Sequence, residues 1–305
     1  EGSWVFPAFC DSHTHLVFPE WRPEEFLYKI RGMSYAEIAQ KGGGILNSAQ
    51  KMEMADEGHL FAAALRRCHE CMAFGTGALE IKSGYGLSLE SELKMLRVIA
   101  RLKESLPIPV KATLLGAHAL PPKYKERRED FIDMIVHRLI PAAAADGLAD
   151  YVDVFCDTGF FTPEETERIL EAGARFGLRG KIHANELGNT GGIQAGVAHQ
   201  ALSVDHLEHT GPEEIQSLLN SNTIPTLLPG TAFFLKMDYP PARTMVDAGL
   251  PLCLATDYNP GSCPSGNPWF IWSLASIYMG LEPEEALSAL SLNGAHAMEL
   301  QHSHG

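Results

Sequence analysis

The stretch VFPAFCDSHTH, residues 5–15, runs from an apolar segment directly into two histidines spaced two apart. Its apolar residues predict a buried strand, and Asp11, His13 and His15 come where that strand ends. Because side chains alternate along a strand, His13 and His15 point to the same side and could close on one metal ion. Two polar loop histidines would show the same pattern, so this motif alone leaves both interpretations open.

Outward from this stretch, strand-like apolar runs alternate with amphipathic helical patterns, which is typical of βαβ units and a parallel sheet. Eight strands are predicted, at residues 5–15, 77–82, 110–116, 151–156, 180–183, 201–206, 224–228 and 251–256. Helices are predicted at residues 57–74, 89–104, 128–139, 163–176, 191–198, 212–220, 240–248 and 267–279, with a final helix pair over 282–299. This alternation predicts an α/β fold, a (β/α)8 barrel of the TIM type that occupies residues 1–305 as a single domain.

Composition narrows the classes of protein to consider. The 305 residues are 45% hydrophobic and 20% charged, enough to bury a large core, and the formal net charge of −14 argues against a nucleic-acid partner. No apolar stretch approaches the roughly 20 residues of a membrane span, and no signal-peptide pattern opens the chain. A small polar molecule is therefore the expected substrate.

The cysteines indicate a reducing setting. They lack the density and spacing of a disulfide framework, and Cys68-His-Glu-Cys71 has no second pair to complete a zinc site, so it is read as part of a helix face. The six are Cys10, Cys68, Cys71, Cys156, Cys253 and Cys263. We therefore expect a soluble, cytoplasmic protein.

Ligand-type residues recur where the predicted strands end, which is where a (β/α)8 barrel carries its active site. Besides His13 and His15 at the first strand, the residues at the ends of the later strands are Lys82, Tyr85, His118, His183, Glu186, His206 and Asp257. Three imidazoles and one carboxylate, from His13, His15, His183 and Asp257, would suit a catalytic zinc site, although Asp257 could instead cap a turn.

Proton transfer needs further groups near such an ion. A bound divalent ion lowers the pKa of its water toward about 7. Glu186, three residues after His183, could carry a proton from that water to a departing nitrogen, and Asp257 could share this task. His206 could orient the hydroxide or stabilise a tetrahedral intermediate.

These residues give the chain a clear resemblance to the amidohydrolase superfamily and, within it, to the imidazolonepropionase family. The superfamily likeness lies in Asp-x-His-x-His, His183, His206 and Asp257. The family likeness runs through the whole chain, in Lys-Ser-Gly-Tyr-Gly (82–86), Gly-Ala-His-Ala (116–119), Lys-Ile-His-Ala-Asn-Glu (181–186), Asp-His-Leu (205–207), Leu-Leu-Pro-Gly-Thr (227–231) and Ala-Thr-Asp-Tyr-Asn-Pro-Gly-Ser (255–262).

The resemblance implies hydrolysis of 4-imidazolone-5-propanoate to N-formimidoyl-L-glutamate in histidine degradation, by metal-hydroxide attack on the ring carbonyl. It also implies one zinc or iron ion per chain and, at the level of the family, a homodimer. The substrate-binding residues that it implies are Arg22, Tyr85, His118, Glu186, Asn259, Gly261 and Ser262. A propanoate tail agrees with Arg22, because a guanidinium offers a planar two-donor fork to a carboxylate.

Several alternatives stay open. Related amidohydrolases carry a small β-sandwich on segments flanking the barrel; we expect those segments to be absent from this chain, as in a fragment. One metal is favoured over two because no strong bridging ligand follows the fourth strand, where Asp157 in Cys156-Asp157-Thr158 would be the candidate; a carboxylated Lys82 bridge is the weaker alternative. Another amidohydrolase, such as a nucleobase or aminoimidazole deaminase, and a non-catalytic truncated barrel are the rival functions.

Overall fold

In the described part of the chain, eight strands form one parallel sheet in which each strand pairs with the next along the sequence. The computed structural model describes residues 5–33, 37–38 and 41–305. Its strands are β1 (Phe9–Asp11), β2 (Thr76–Lys82), β3 (Val110–Ala117), β4 (Tyr151–Cys156), β5 (Arg179–Ala184), β6 (Ser203–His206), β7 (Ile224–Leu227) and β8 (Cys253–Leu254). The predicted barrel is thereby confirmed.

Helices connect and cover the strands. They are α1 (Pro23–Ile30), α2 (Ile45–Met54), α3 (Glu57–Ala73), α4 (Leu89–Ser105), α5 (Arg128–Met134), α6 (Ile140–Ala145), α7 (Pro163–Arg175), α8 (Gly192–Ala198), α9 (Pro212–Leu219), α10 (Pro229–Leu235), α11 (Ala242–Asp247), α12 (Pro268–Met279), α13 (Pro283–Leu290) and α14 (Leu292–His296). A 3₁₀ turn spans Pro122–Tyr124, and a π-helical segment, Ile135–Leu139, joins α5 to α6. Among the described residues, no helix has the length and apolar character needed to cross a membrane.

The alternation of side chains in β2 illustrates how the strands build the barrel. Leu79 and Ile81 are buried in the apolar layer that also contains Met95 of α4. Glu80 and Lys82, the alternate residues, are also fully buried and form an ion pair with one another. Barrel interiors are usually filled by branched apolar side chains, so a charged interior sets this barrel apart.

The barrel closes between β8 and β1 through contacts that lie at the end of β1. The carboxylate of Asp11 accepts hydrogen bonds from the backbone N–H of Thr256 at 3.0 Å and from its hydroxyl at 2.6 Å. Beyond Asp11, the N–H of Asp257 donates to the carbonyl of His13, and the N–H of His15 donates to the carbonyl of Tyr258, both at 3.0 Å. This seam holds the segments with His13, His15 and Asp257 side by side.

Some elements differ from the sequence-based expectations. The first strand pairs over Phe9–Asp11 alone, because Pro7 cannot donate a ladder hydrogen bond and the chain beyond Asp11 turns toward β8. Helices α1, α2 and α10 were not predicted. The helix expected at 128–139 continues to Ala145 through the π-helical segment, next to Pro141, which lacks the N–H that a regular helix would use.

Candidate metal centre and adjoining pocket

Three imidazoles and one carboxylate converge at the carboxyl end of the barrel. Oδ1 of Asp257 lies 3.5 Å from Nε2 of His13 and 3.4 Å from Nε2 of His15. Nε2 of His183, near the end of β5, lies 3.4 Å from Nε2 of His15. The structure thus brings together all four residues that the sequence suggested as metal ligands.

Two carboxylates behind the histidines orient their rings. Nδ1 of His13 is 2.6 Å from Oδ2 of Asp205, and Nδ1 of His183 is 3.1 Å from Oδ1 of Asp153. Each contact leaves the opposite ring nitrogen, Nε2, directed into the cluster, the usual arrangement of a metal-binding histidine.

The chemistry of the donors fits a metal ion. Nε2 of His13 is buried and has no hydrogen-bond partner in the described part of the chain. Burial, together with Lys82, lowers the pKa of His13, and burial, together with His118, lowers the pKa of His15. Neutral imidazoles are the form that binds metal, and a set of three nitrogens and one oxygen suits zinc or iron. His13, His15 and Asp257 could hold an ion together, and so could His13, His183 and His206.

Asp257 is aimed at the histidines by its backbone and by two hydroxyl groups. Its φ of 51° lies in the left-handed region, which few residues other than glycine adopt. Oδ2 accepts hydrogen bonds from Oγ1 of Thr231 at 2.6 Å and from Oγ of Ser262 at 3.3 Å, so Oδ1 is left to face His13 and His15. The contacts of its side chain with Thr231 and Ser262 direct Oδ1 into the histidine cluster, the arrangement that the metal-ligand prediction requires.

Other residues in the left-handed region lie at the same end of the barrel. They include Asn185 after β5, His206 at the end of β6, and Leu207, with φ values of 56°, 87° and 73°. Such conformations cost free energy and cluster at functional sites.

Glu186 and His206 form a second polar pair at the edge of the cluster. Oε2 of Glu186 lies 3.7 Å from Nε2 of His206, whose ring centroid is 5.3 Å from that of His183. Burial raises the pKa of Glu186 well above its ordinary value, and the carboxylates of Asp257 and Asp157 add to this effect. A carboxyl group with a raised pKa beside a metal-type cluster is suited to accept and return a proton.

Asp157 holds the backbone of the turn that carries Glu186. Its Oδ2 accepts the N–H groups of Glu186 at 2.7 Å and of Leu187 at 3.0 Å, and its Oδ1 accepts the N–H of Thr158 at 2.6 Å. The carboxylate that the sequence offered as a bridging candidate therefore holds the Glu186 turn.

A pocket opens directly over the cluster. Its walls contain every residue that the sequence analysis singled out for substrate binding, namely Arg22, Tyr85, His118, Glu186, Asn259, Gly261 and Ser262. Glu25, Ile45, Phe155 and Leu235 also line it, and the sequence analysis missed them.

Arg22 lies at the N-cap of α1, and its guanidinium packs closely against Gly261. A Cβ atom placed on Gly261 would lie 1.7 Å from Nη2 of Arg22. Nη1 of Arg22 is 3.4 Å from Oε2 of Glu25, and Nε is buried without a hydrogen-bond partner in the described part of the chain. The guanidinium thus retains donors for a further partner.

His118 leaves one ring nitrogen free of the Gly84 contact, whereas the amide of Asn259 hydrogen-bonds within its own loop. Nδ1 of His118 donates to the carbonyl of Gly84 at 2.9 Å, and burial with nearby His183 lowers the pKa of His118 to about 3. Its Nε2 is therefore an acceptor. The amide of Asn259 is used within its own loop, since Oδ1 accepts the N–H of Gly261 and Nδ2 donates to Oγ of Ser262, both at 2.7 Å.

Asp153 and Asp205, which contact the rings of His183 and His13, were not predicted as partners of these histidines, although the sequence contains a signal for them. Asp153 is the one charged residue in the strand YVDVFC, and Asp205 stands next to His206 in SVDH. A lone carboxylate within an apolar strand indicates a buried ion pair or a histidine partner.

Known proteins resemble the chain along its whole length. It is 54% identical over 304 residues to an imidazolonepropionase of Flavobacterium johnsoniae and 51% identical over 305 residues to one of Flavobacterium psychrophilum. Each match covers 100% of this chain and 74% of the relative. No family model matches the chain.

Solved structures of low sequence identity share the fold. A 5-methylcytosine deaminase of Klebsiella pneumoniae superposes with a TM-score of 0.74 at 15% identity, covering 98% of this chain and 76% of that one. A zinc-bound adenosine deaminase of Xanthomonas campestris gives 0.71 at 14%, covering 98% and 68%. Since the sequence matches are 51–54% identical over the full chain, the protein belongs to the imidazolonepropionase family.

Proposed function

We propose that this protein opens the ring of 4-imidazolone-5-propanoate by hydrolysis and releases N-formimidoyl-L-glutamate; relatives that are 51–54% identical to it are named imidazolonepropionase. The observation that carries the proposal is the convergence of three Nε2 atoms and one Asp257 oxygen on the floor of a pocket that has Arg22 in its wall. In the reaction a C–O bond forms at the ring carbonyl carbon, the adjacent ring C–N bond breaks, and a proton moves from water to the departing nitrogen.

One zinc or iron ion per chain is proposed at this floor, held by His13, His15, His183 and Asp257. Such an ion supplies a water of lowered pKa and polarises the substrate carbonyl. Asp205 and Asp153 keep the rings of His13 and His183 turned with Nε2 toward it.

Glu186 is proposed to move the proton. Its Oε2 faces His206 across 3.7 Å at the edge of the cluster, and its raised pKa suits both acceptance from water and delivery to nitrogen. Nε2 of His206 would steady the oxygen of the tetrahedral intermediate. Asp257, the other carboxylate at the floor, would share the proton transfer.

Arg22 and Tyr85 are proposed to hold the propanoate. A guanidinium with unsatisfied donors is the natural partner for a carboxylate. The acceptor nitrogen of His118 would receive an N–H of the imidazolone ring, while Gly261 and Ser262 line the ring end and Asn259 shapes their loop.

We also propose the domain organisation, the location in the cell and the assembly of the protein. Residues 1–305 act as a single barrel domain, the enzyme works in the cytoplasm, and two chains assemble as a homodimer. Support for a reducing compartment comes from the six cysteines, all of which are free and buried.

The decisive experiment follows the consumption of 4-imidazolone-5-propanoate by the purified protein before and after treatment with a chelator. We expect turnover and about one ion per chain before treatment, loss of both afterwards, and recovery when zinc or iron is restored. Turnover that survives complete metal removal would refute the metal mechanism. Release of ammonia from a neutral nucleobase, with no action on the imidazolone, would favour the deaminase alternative.

A further inference from the structure

Lys82 lies inside the barrel, behind the histidines, in contact with three carboxylates. Its side chain is 0% exposed, and Nζ lies 2.9 Å from Oε1 of Glu80, 2.8 Å from Oδ2 of Asp153 and 3.8 Å from Oδ2 of Asp205. A buried ammonium is stable only when it is paired in this way.

Two of those carboxylates are the ones that orient the candidate ligands. Asp153 contacts Nδ1 of His183 at 3.1 Å, and Asp205 contacts Nδ1 of His13 at 2.6 Å. The ammonium group of Lys82 is therefore linked to two histidines, each through one carboxylate. Asp153 links it to a histidine of β5, and Asp205 links it to a histidine that follows β1. Outer partners of this kind set the orientation and basicity of metal-binding histidines.

The same contacts argue against a carboxylated Lys82 that bridges two ions. Carbamate formation requires a neutral amine, yet the carboxylates of Asp153, Glu80 and Asp205 overcome the effect of burial and raise the pKa of Lys82. The three carboxylates around Nζ therefore favour the ammonium form over the neutral amine.

We infer that Lys82 is a positioning residue, which fixes His13 and His183 at once through Asp205 and Asp153 and thereby sets the affinity and geometry of the metal centre. Because Lys82 would act on the proposed metal centre, this role depends on the proposed function. Lys82 itself is not among the residues that line the pocket. Removing its charge should leave Asp205 held by Ser203 and Asp153 held by the N–H of His183, with one contact fewer on each carboxylate, and should loosen two ligands together.

The test replaces Lys82 with Met, which keeps most of the side-chain length and removes the charge. Zinc affinity is measured by competition with a chromophoric chelator, and the ligand geometry is measured from the visible absorption of the cobalt(II)-loaded protein. We expect Lys82→Met to raise the zinc Kd by about 10- to 100-fold and to alter the cobalt bands, since losses of that size are typical for outer partners. Lys111→Met, a change in a lysine paired with Asp150 at the surface, should alter neither.

A double-mutant cycle separates positioning from general loss of stability. If Lys82 acts through Asp153, the zinc affinity of Lys82→Met combined with Asp153→Asn falls by less than the product of the two single losses. Lys82→Arg, which keeps the charge, should restore part of the wild-type cobalt spectrum. Additive losses together with an unrestored spectrum would overturn the role.

Folding and function are checked independently. Should Lys82→Met fail to fold by circular dichroism, the cobalt spectrum and zinc affinity of Lys82→Gln decide in its place. A folded variant with wild-type zinc affinity and wild-type cobalt bands overturns the positioning role and leaves the proposed function intact. A wild-type protein that neither binds zinc nor consumes imidazolone propanoate would refute the proposed function itself.

Discussion

Glu186 is the side chain whose replacement most directly tests proton transfer. Glu186→Gln keeps the shape of the group and removes its ability to carry a proton, while the four proposed ligands stay unchanged. We expect kcat for the imidazolone to fall by about 10²- to 10⁴-fold, the usual contribution of a general acid–base, with the metal content preserved. Steady-state kinetics and metal analysis on the same preparation measure both.

The matched control for that substitution is Glu213→Gln, an exposed residue in α9, which should keep wild-type kcat. The pH profile adds a second readout. Glu186 must be ionised to accept a proton, and burial with Asp257 raises its pKa, so wild-type kcat/KM should decline on acidification at a pH above the ordinary glutamate pKa of about 4.3. A Glu186→Gln variant with wild-type turnover would exclude Glu186 from the chemistry.

Gly261 is the residue that lets Arg22 reach the pocket. Its backbone is outside the positive-φ region, so alanine is tolerated by the backbone, yet the new methyl would stand 1.7 Å from the flexible end of Arg22. We expect Gly261→Ala to displace the guanidinium and to lower kcat/KM for the propanoate substrate by about 10- to 100-fold, the value of a charge-assisted hydrogen bond. Thermal stability should change little.

Comparison with Arg22→Ala makes this prediction specific. Both variants should lose the same factor with the imidazolone propanoate and neither should lose it with an analogue that lacks the carboxylate. Gly211→Ala, which adds a methyl at the start of α9, serves as the control. Wild-type kinetics in Gly261→Ala would show that the position of Arg22 does not matter for binding.

At the level of elements, the βα pattern predicted the sheet well because apolar residues recur in every strand, even in those that also carry charged or histidine side chains. Its failures lie in the connections. Helix α1 begins with Pro23 and has Glu24 and Glu25 in its first turn, a helix-start signal that the short, exposed segment obscured. Helix α10 opens with Pro229 and Gly230, a pair that usually marks a turn.

Those missed helices matter for the pocket. Helix α1 starts directly after Arg22, α2 starts with Ile45, and α10 ends with Leu235, and all three residues line the pocket over the cluster. Local propensity does not report them, because their short helices are stabilised by packing on the barrel mouth rather than by their own hydrogen bonds. The proposed metal ligands, in contrast, could be predicted from the sequence because they directly follow the strands.

On the scale of the whole molecule, the charged interior is the feature that the sequence could not show. Glu80 and Lys82 of β2 are far along the chain from Asp153 of β4 and Asp205 of β6, and the contacts between them depend on the stagger of these three strands. Alternation indicates that they face inward, whereas the partner of each carboxylate follows only from the register of the closed barrel.

The proposed ligands also connect distant parts of the barrel, so ion binding should stabilise the fold as a whole. His13 and Asp257 stand on the two sides of the β1–β8 seam, and His183 comes from β5 opposite to it in the order of the sheet.

An ion bound to the native state alone adds about 4 kcal/mol to the free energy of unfolding at a thousand-fold excess over its Kd. We expect the Tm of chelator-treated protein to rise by several degrees on addition of zinc, as measured by differential scanning calorimetry. The rise should vanish in Asp257→Asn, which removes a proposed ligand on one side of the seam, and persist in His199→Ala, which removes a histidine outside the cluster. Equal Tm values with and without zinc in the wild-type protein would mean that these four side chains do not bind the ion together, because a ligand that prefers the native state must shift the unfolding equilibrium.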